Sequence, residues 1–258
     1  MTYEFITYEK RGRVAVVTLN RPRSMNALHL EAHLELKDAW EDYRDDPDVW
    51  VAILTGAGDR AFCAGNDLKF QAAGGSLTSP PSGFAGITAR YDLVKPVIAA
   101  VNGVAMGGGF EIALACDLII ASENALFALP EPRVGLAALA GGIHRLPRQI
   151  GLKQAMGMLL TGRRVSAEEG LRLGFVNEVV PPAELLSAAR RWADQICECA
   201  PLSVRASKQA ALRGLDAPSL REAVEGRYDQ MAAMLKSPDF VEGPRAFAQK
   251  RKPNWTGR

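Results

Sequence analysis

The chain is poor in the residues that build metal and redox centres: 258 residues include only 4 cysteines and 3 histidines. Cys63, Cys116, Cys197 and Cys199 form no Cys-x-x-Cys pair and have no histidine at ligand spacing, which argues against a zinc site. Cys63 and Cys116 sit in apolar surroundings, where an unpaired thiol packs as a small core residue. His29 and His33 share a helical face by their spacing of four and, without a third ligand, are expected to face solvent. A charge excess is missing too: 31 Lys and Arg stand against 29 Asp and Glu, a net charge of +2 that implies no nucleic-acid partner. No apolar run approaches the length needed to cross a bilayer. Met1-Thr-Tyr-Glu-Phe-Ile6 has no basic leader, so a cytoplasmic location is expected.

What remains is an ordinary globular composition, 48% apolar and 23% charged, long enough for one large domain or a main domain with an appendage. Val14–Leu19, Val49–Leu54, Val97–Val101 and Asp117–Ala121 read as strands, several of them ended by turn residues such as Asn20-Arg-Pro22 and Asn102-Gly103. Between the first two, 27–43 is helically spaced, with Asn26 as a possible N-cap. Because these apolar runs are continuous, an α/β architecture with strands buried on both faces is expected. Gly74 to Gly83, rich in Gly, Ser and Pro, is the candidate mobile loop near the site. After Pro182 the strand signals cease, and segments at 183–199, 201–213, 218–235 and 238–249 read as helices of a carboxyl-terminal appendage.

Two glutamates stand in settings suited to using a carboxylate. Glu111 follows Gly107-Gly-Gly-Phe and falls in the first turn of an expected helix, near free N–H groups and the positive end of the helix dipole. Glu131 lies between Pro130 and Pro132, which leave its backbone little freedom. On one pocket the pair could divide acid and base roles. The glycine run permits close backbone approach to a ligand. Phe62-Cys-Ala-Gly65-Asn66-Asp67-Leu-Lys69 offers a second such turn, with Asp67 able to cap the next helix and Asn66 N–H a partner donor. Taken singly, each glycine turn could serve only to close a strand-to-helix junction.

With these residues in view, the chain resembles the crotonase, or enoyl-CoA hydratase and isomerase, superfamily. The resemblance is carried by Asn20-Arg-Pro22, Asn26-Ala-Leu28, Phe62 to Lys69, Lys95-Pro-Val-Ile-Ala-Ala-Val-Asn-Gly103, Gly107 to Glu111 and Thr161-Gly-Arg163. It implies an α/β spiral of ββα repeats over 1–195, followed by a helical trimerisation region over 196–258 that commonly pairs trimers into hexamers. It implies acyl-CoA thioester substrates and no separate cofactor, coenzyme A being part of the substrate. The thioester oxygen would be held by the N–H groups of Asn66 and Gly108. Charge moves onto that oxygen during reaction, so preorganised donors act mainly in the transition state.

Retention of both Glu111 and Glu131 implies hydration of a 2-enoyl thioester, with Glu131 exchanging the proton at Cα and Glu111 holding and activating water. Contacts to the CoA and acyl groups are implied at Arg23, Met25, Ala64, Asp67, Leu68 and Lys69. Leu139, Phe247 and Lys250 complete that set, Phe247 as a cover for adenine. The bland reading of the Pro244 to Arg258 tail, with its five cationic residues, is a solvated basic end.

Three positions depart from the family pattern. Gly135-Leu-Ala-Ala-Leu-Ala-Gly-Gly142 has Ala138 for the usual proline and Leu139 for a glycine. Leu139 is still expected to supply an N–H, with its side chain near the acyl and water pockets. Asn66 stands where alanine is frequent. Phe110-Glu111, Phe127 to Glu131, Gly83 to Thr88 and the Glu242 to Arg251 ending are similar to the carnitinyl-CoA dehydratase branch, whose trimethylammonium substrate calls for aromatic faces or an acidic group. Isomerisation by a single base, and a non-catalytic acyl-CoA or RNA-binding scaffold, are the other readings.

Overall fold

The apolar runs become strands of a sheet that carries a hydrophobic core on each face. The computed structural model describes residues 3–76 and 78–258. β1 (Ile6–Arg11) and β2 (Val14–Leu19) form an antiparallel hairpin, with Gly12 at φ +64° in the turn. α1 (Leu30–Asp45) then carries the chain to β3 (Val51–Gly56), parallel to β2. From there a unit repeats: β3, β4 (Ala61–Cys63) and α2 (Leu68–Ala72); β5 (Val97–Val101), β6 (Val104–Met106) and α3 (Gly108–Ala115). A third copy, β7 (Leu118–Ser122) and β8 (Leu126–Ala128), ends in a 3-10 turn, Glu131–Val134. α4 (Gly142–Gln149), α5 (Leu152–Thr161), β9 (Val165–Ser166), α6 (Ala167–Leu173) and β10 (Glu178–Val180) follow. The chain ends in α7 (Leu185–Cys197), α8 (Pro201–Gly214), α9 (Leu220–Glu225), α10 (Asp229–Leu235) and α11 (Pro238–Ala248).

The first strand of each unit joins a sheet of order β1-β2-β3-β5-β7-β10, and the second joins a smaller sheet, β4-β6-β8-β9. This is the α/β spiral of ββα repeats that the resemblance implied. Its physical basis is the period-2 alternation of side chains along each strand. Ala52 and Leu54, Ala99 and Val101, and Ile119 and Ala121 face the core inside the spiral. Val51 and Ile53, Ile98 and Ala100, and Ile120 face a second core closed by Leu185, Ala188, Ala189 and Ala193 of α7. Strands buried on both sides need continuous apolar runs, which is why they were legible. Asn102 staples successive turns: its Nδ2 donates to Gly56 O and Gly58 O at 2.9 and 2.7 Å, and its Oδ1 accepts from Gly56 N at 3.2 Å.

Several expectations need correction. Asn26 does not cap α1; it is buried in the left-handed region (φ 54°), and His29 is the cap, its Nδ1 accepting from Ala32 N. Asn26 instead donates to Ala57 O and Ala61 O at 3.0 and 2.7 Å and accepts from Arg21 N at 3.0 Å. His29 and His33 are buried, not in solvent. His33 Nδ1 accepts from Ala85 N at 3.0 Å, and burial, with His29 beside it, pulls its pKa down to about 4, so it is neutral near pH 7. The helix expected over 218–235 is two, because the chain turns extended at Gly226 and Tyr228. Cys63 and Cys116 are buried core residues, as expected. The described residues of Gly74 to Gly83 form no helix or strand, and Leu77 lies outside the described residues.

Removing Asn26 leaves the buried Ala61 carbonyl unpaired, at a cost of about 1–3 kcal/mol, and frees a carbonyl and an amide at part-buried positions. Asn26→Ala is therefore expected to lower unfolding free energy by roughly 2–3 kcal/mol in urea titrations; a loss within error of zero would contradict this role.

Candidate active site

Parallel pairing of β4 with β6, and of β6 with β8, sets three equivalent turns side by side at the strands' carboxyl ends. The first turn carries Gly65 and Asn66 into α2, the second Gly107 and Gly108 into α3, and the third Glu131. The turns touch. A Cβ on Gly65 (φ +93°) would lie 2.9 Å from Met106 O and 3.1 Å from Gly108 N, and one on Gly109 would lie 1.9 Å from Cys63 O. A Cβ on Gly107 (φ +55°) would lie 3.0 Å from Glu131 Oε1. Glycine is required because the backbones of successive repeats meet with no room for a side chain.

Both expected donors are free to face a ligand. Leu28 and Asn66 form a parallel bridge in which Leu28 N donates to Gly65 O and Asp67 N donates to Leu28 O, both at 2.9 Å. That pattern uses Asn66's neighbours and turns its own N–H away from Leu28. Gly108 is the first residue of α3, so its N–H has no acceptor within the helix. Among the described residues neither N–H has a protein acceptor. Phe84, from the 3-10 turn Phe84–Gly86, lies on the other side of Gly108, where a Cβ would come within 2.6 Å of its ring.

Glu111, one turn into α3, is buried and turned toward α4, where its Oε1 accepts from Gly142 N at 2.8 Å. Its pKa is pushed up to about 7; burial is the main cause, the Gly142 N–H opposes it, and the nearby Glu131 carboxylate adds to the rise. Burial raises the pKa of Glu131 as well, and its Oε2 is buried with no hydrogen-bond partner among the described residues. Two carboxylates within each other's field and short of water favour a state that shares one proton.

The remaining expected contacts divide. Arg23, in the exposed turn Pro22–Ser24, and Lys69, exposed at the start of α2, flank the Gly65 turn. Met25 O accepts from Ala64 N at 3.0 Å, joining these two positions. Asp67 caps α2 through Phe70 N at 3.1 Å and pairs with Arg21 at 2.9 Å, so its carboxylate is committed to the protein; Leu68 beside it is exposed. Leu139 departs from expectation: its N–H is used on Ala137 O at 2.8 Å in a tight turn, and its side chain is 79% exposed. Phe247 and Lys250 end α11 with Phe247 87% exposed, and their hydrogen bonds are local, Lys250 N donating to Phe247 O at 3.1 Å. Those bonds do not join them to the Gly65 turn. A cleft of about 480 Å3 lies elsewhere, between α11 and the tail, lined by Asp239, Glu242, Arg245 and Arg251. Among the described residues no group of three or more His, Cys, Asp or Glu could hold a metal, and no helix is long and apolar enough to cross a membrane. The cradle of Glu111 and the Phe84 wall were not assigned to the site from the sequence; the Gly141-Gly142 pair and the Gly83 to Thr88 segment were their local signals.

Comparison with known proteins gives concordant matches. The profile described as enoyl-CoA hydratase/isomerase matches residues 9–258. A carnitinyl-CoA dehydratase from Proteus mirabilis is 46% identical over 254 residues, 96% of this chain and 97% of the relative. Solved structures of enoyl-CoA hydratases from Mycobacterium tuberculosis and Mycobacterium marinum superpose with TM-scores of 0.91 and 0.92 at 38% and 39% identity, each covering 98% of this chain and 99% of the other.

The raised acid has a consequence for stability. A carboxyl taken from 4.5 to about 7 on folding favours the folded state while protonated, fully below pH 4.5, and that contribution is lost as pH rises through about 7. Above it the buried charge costs on the order of 3 kcal/mol. Glu111→Gln, which keeps an acceptor for Gly142, is expected to melt higher than the parent at pH 8 and alike at pH 4; equal melting at both would show that Glu111 is not so perturbed.

Proposed function

Because the chain belongs to the enoyl-CoA hydratase/isomerase family, we propose that it adds water reversibly across the 2,3-double bond of an acyl-CoA thioester, as an enoyl-CoA hydratase. The chain is an enzyme of the hydro-lyase type, as its dehydratase and hydratase relatives are. The observation that carries the finer reading is the orphaned, buried Glu131 Oε2 beside a buried Glu111 held by Gly142 N–H. In this reading the thioester oxygen sits between the N–H groups of Asn66 and Gly108. One proton is shared by the pair at the start: it rests on Glu111, the acid pushed to about 7, and passes to Glu131 as substrate and water bind, leaving Glu111 ionised. Glu111 draws a proton from water as its oxygen bonds to Cβ. Glu131 delivers its proton to Cα on the same face, and charge passes through the thioester oxygen as it does so. The shared proton is then back on Glu111, as at the start. No separate cofactor takes part.

Arg23 and Lys69 are assigned to the coenzyme phosphates, Arg23 through a bidentate grip and Lys69 as a point charge. Residues 196–258 are assigned to self-association as a trimer or hexamer. That assignment is supported by the exposed apolar side chains Leu215, Leu220, Val224, Phe240 and Val241 on the terminal helices. A second reading, dehydration of a carnitinyl-CoA thioester, is favoured by the 46% identity to an enzyme of that name. It uses the same carboxylates and differs only in the acyl group.

Glu131→Gln and Glu111→Gln are each expected to lower kcat for crotonyl-CoA hydration by about 10²–10⁴-fold, measured as loss of enoyl absorbance. kcat/KM should fall above about pH 7, where the pair loses the one proton it shares. A Glu131→Gln enzyme as fast as the parent would remove that residue from the chemistry. Higher kcat/KM for crotonobetainyl-CoA than for crotonyl-CoA would select the second reading.

A further inference from the structure

Arg145, in the first turn of α4, is not among the residues assigned so far, yet it touches both walls of the site. Its Nη2 donates to Thr88 O at 2.7 Å, and its Nη1 donates to Ala140 O at 3.3 Å. The guanidinium lies over Gly141 (φ +105°), where a Cβ would be 2.1 Å from Nη1. Gly142 supplies the backbone N–H that holds Glu111, at 2.8 Å, and the nearby Ala140 N–H also favours its charge. Thr88 ends the turn that carries Phe84. That turn is fixed on its far side by α1: His33 accepts from Ala85 N, Trp40 Nε1 donates to Ala85 O at 3.0 Å, and Ala85 is left-handed at φ 54°.

We propose that Arg145 is a positioning residue for the reaction, tying the backbone cradle of Glu111 to the Phe84 turn that backs the Gly108 donor. The proposal rests on the catalytic reading above. It states that one cation sets both the place of the carboxylate and its ease of ionisation. The planar fork suits the role, since two carbonyls on different segments are bridged at once. The ionisable groups facing Glu111 are few. Glu131 stands on the neighbouring turn and Arg145 on α4; α3 and the strand packed against it also carry Cys116, at the helix end, and Cys63, on β4, neither of which acts on Glu111. Burial keeps both thiols well above their ordinary range, and His33, behind Phe84, is neutral. Among these Arg145 is the one that favours ionised Glu111.

The test compares Arg145→Gln and Arg145→Lys with the parent. Loss of the cation makes ionised Glu111 less favourable, so in Arg145→Gln the limb of kcat/KM for crotonyl-CoA near pH 7 should move up, with kcat down roughly tenfold and KM little changed. Arg145→Lys should restore the limb but only part of kcat, since lysine cannot bridge both carbonyls. A second readout is independent of activity. The stability difference between each background and its Glu111→Gln derivative, followed against pH, should shift upward in Arg145→Gln. A profile superimposable on the parent's, with only a lower melting temperature, would overturn the proposal. If the parent hydrates no enoyl-CoA, the catalytic reading falls, while the stability profile still decides whether Arg145 tunes Glu111.

Discussion

Everything at the site depends on the backbone contact between successive repeats, where Gly65 and Gly109 press against Met106 O and Cys63 O with no space for a Cβ, while Gly107 and Gly108 lie against the Glu131 carboxylate and the Phe84 ring. Short parallel strands place equivalent turns at a fixed spacing, but only glycine lets those turns close until the backbone itself lines a pocket. A side chain at Gly109 would collide with Cys63 O and lift α3 away from β4, carrying Gly108 and Glu111 with it. The donors and the first carboxylate are thus positioned by rigid secondary structure, which holds a reacting group more tightly than a loop can.

The same closure creates the electrostatics. Excluding water raises the pKa of both carboxyls, and the N–H groups of Ala140 and Gly142 keep Glu111 from becoming a permanently neutral acid. A carboxyl near neutrality can give and take a proton with little driving force either way, which suits a reversible addition. The unpaired Glu131 oxygen would be a liability in a core, where an unsatisfied polar atom costs free energy. Beside a ligand-facing turn it is a vacant acceptor. The stability lost to this arrangement is offset by the two cores on either face of the main sheet.

Much of the fold was legible because its strands are buried on both sides and so read as uninterrupted apolar runs; Val97–Val101 is the clearest case. The strands of the smaller sheet, β4, β6, β8 and β9, carry too few residues to show a period, and they were not distinguished although the site is built on them. Asn26 and His29 show how a local rule can be overridden. The sequence around them suggests a cap at Asn26, but its side chain bonds to Arg21, Ala57 and Ala61 with the residue in the left-handed region, and the helix starts three residues later than expected. His33 likewise matched an exposed face by spacing alone, and only the docking of the Phe84 turn on α1 buries it.

The glutamates and the glycine turns stood out in the chain itself, since carboxylates beside glycine-opened helix starts and proline-fixed turns have a local chemical logic, while the class of chemistry was implied by the family resemblance. Tertiary structure alone decided which N–H groups are free, that Leu139 spends its own within a turn, and that Asp67 serves Arg21 and a helix start. It also decided that Arg145 bridges Thr88 and Ala140 across 57 and 5 residues. These are questions of which backbone group faces which across non-adjacent repeats. Sequence neighbours do not carry that information, because it arises only when the spiral closes.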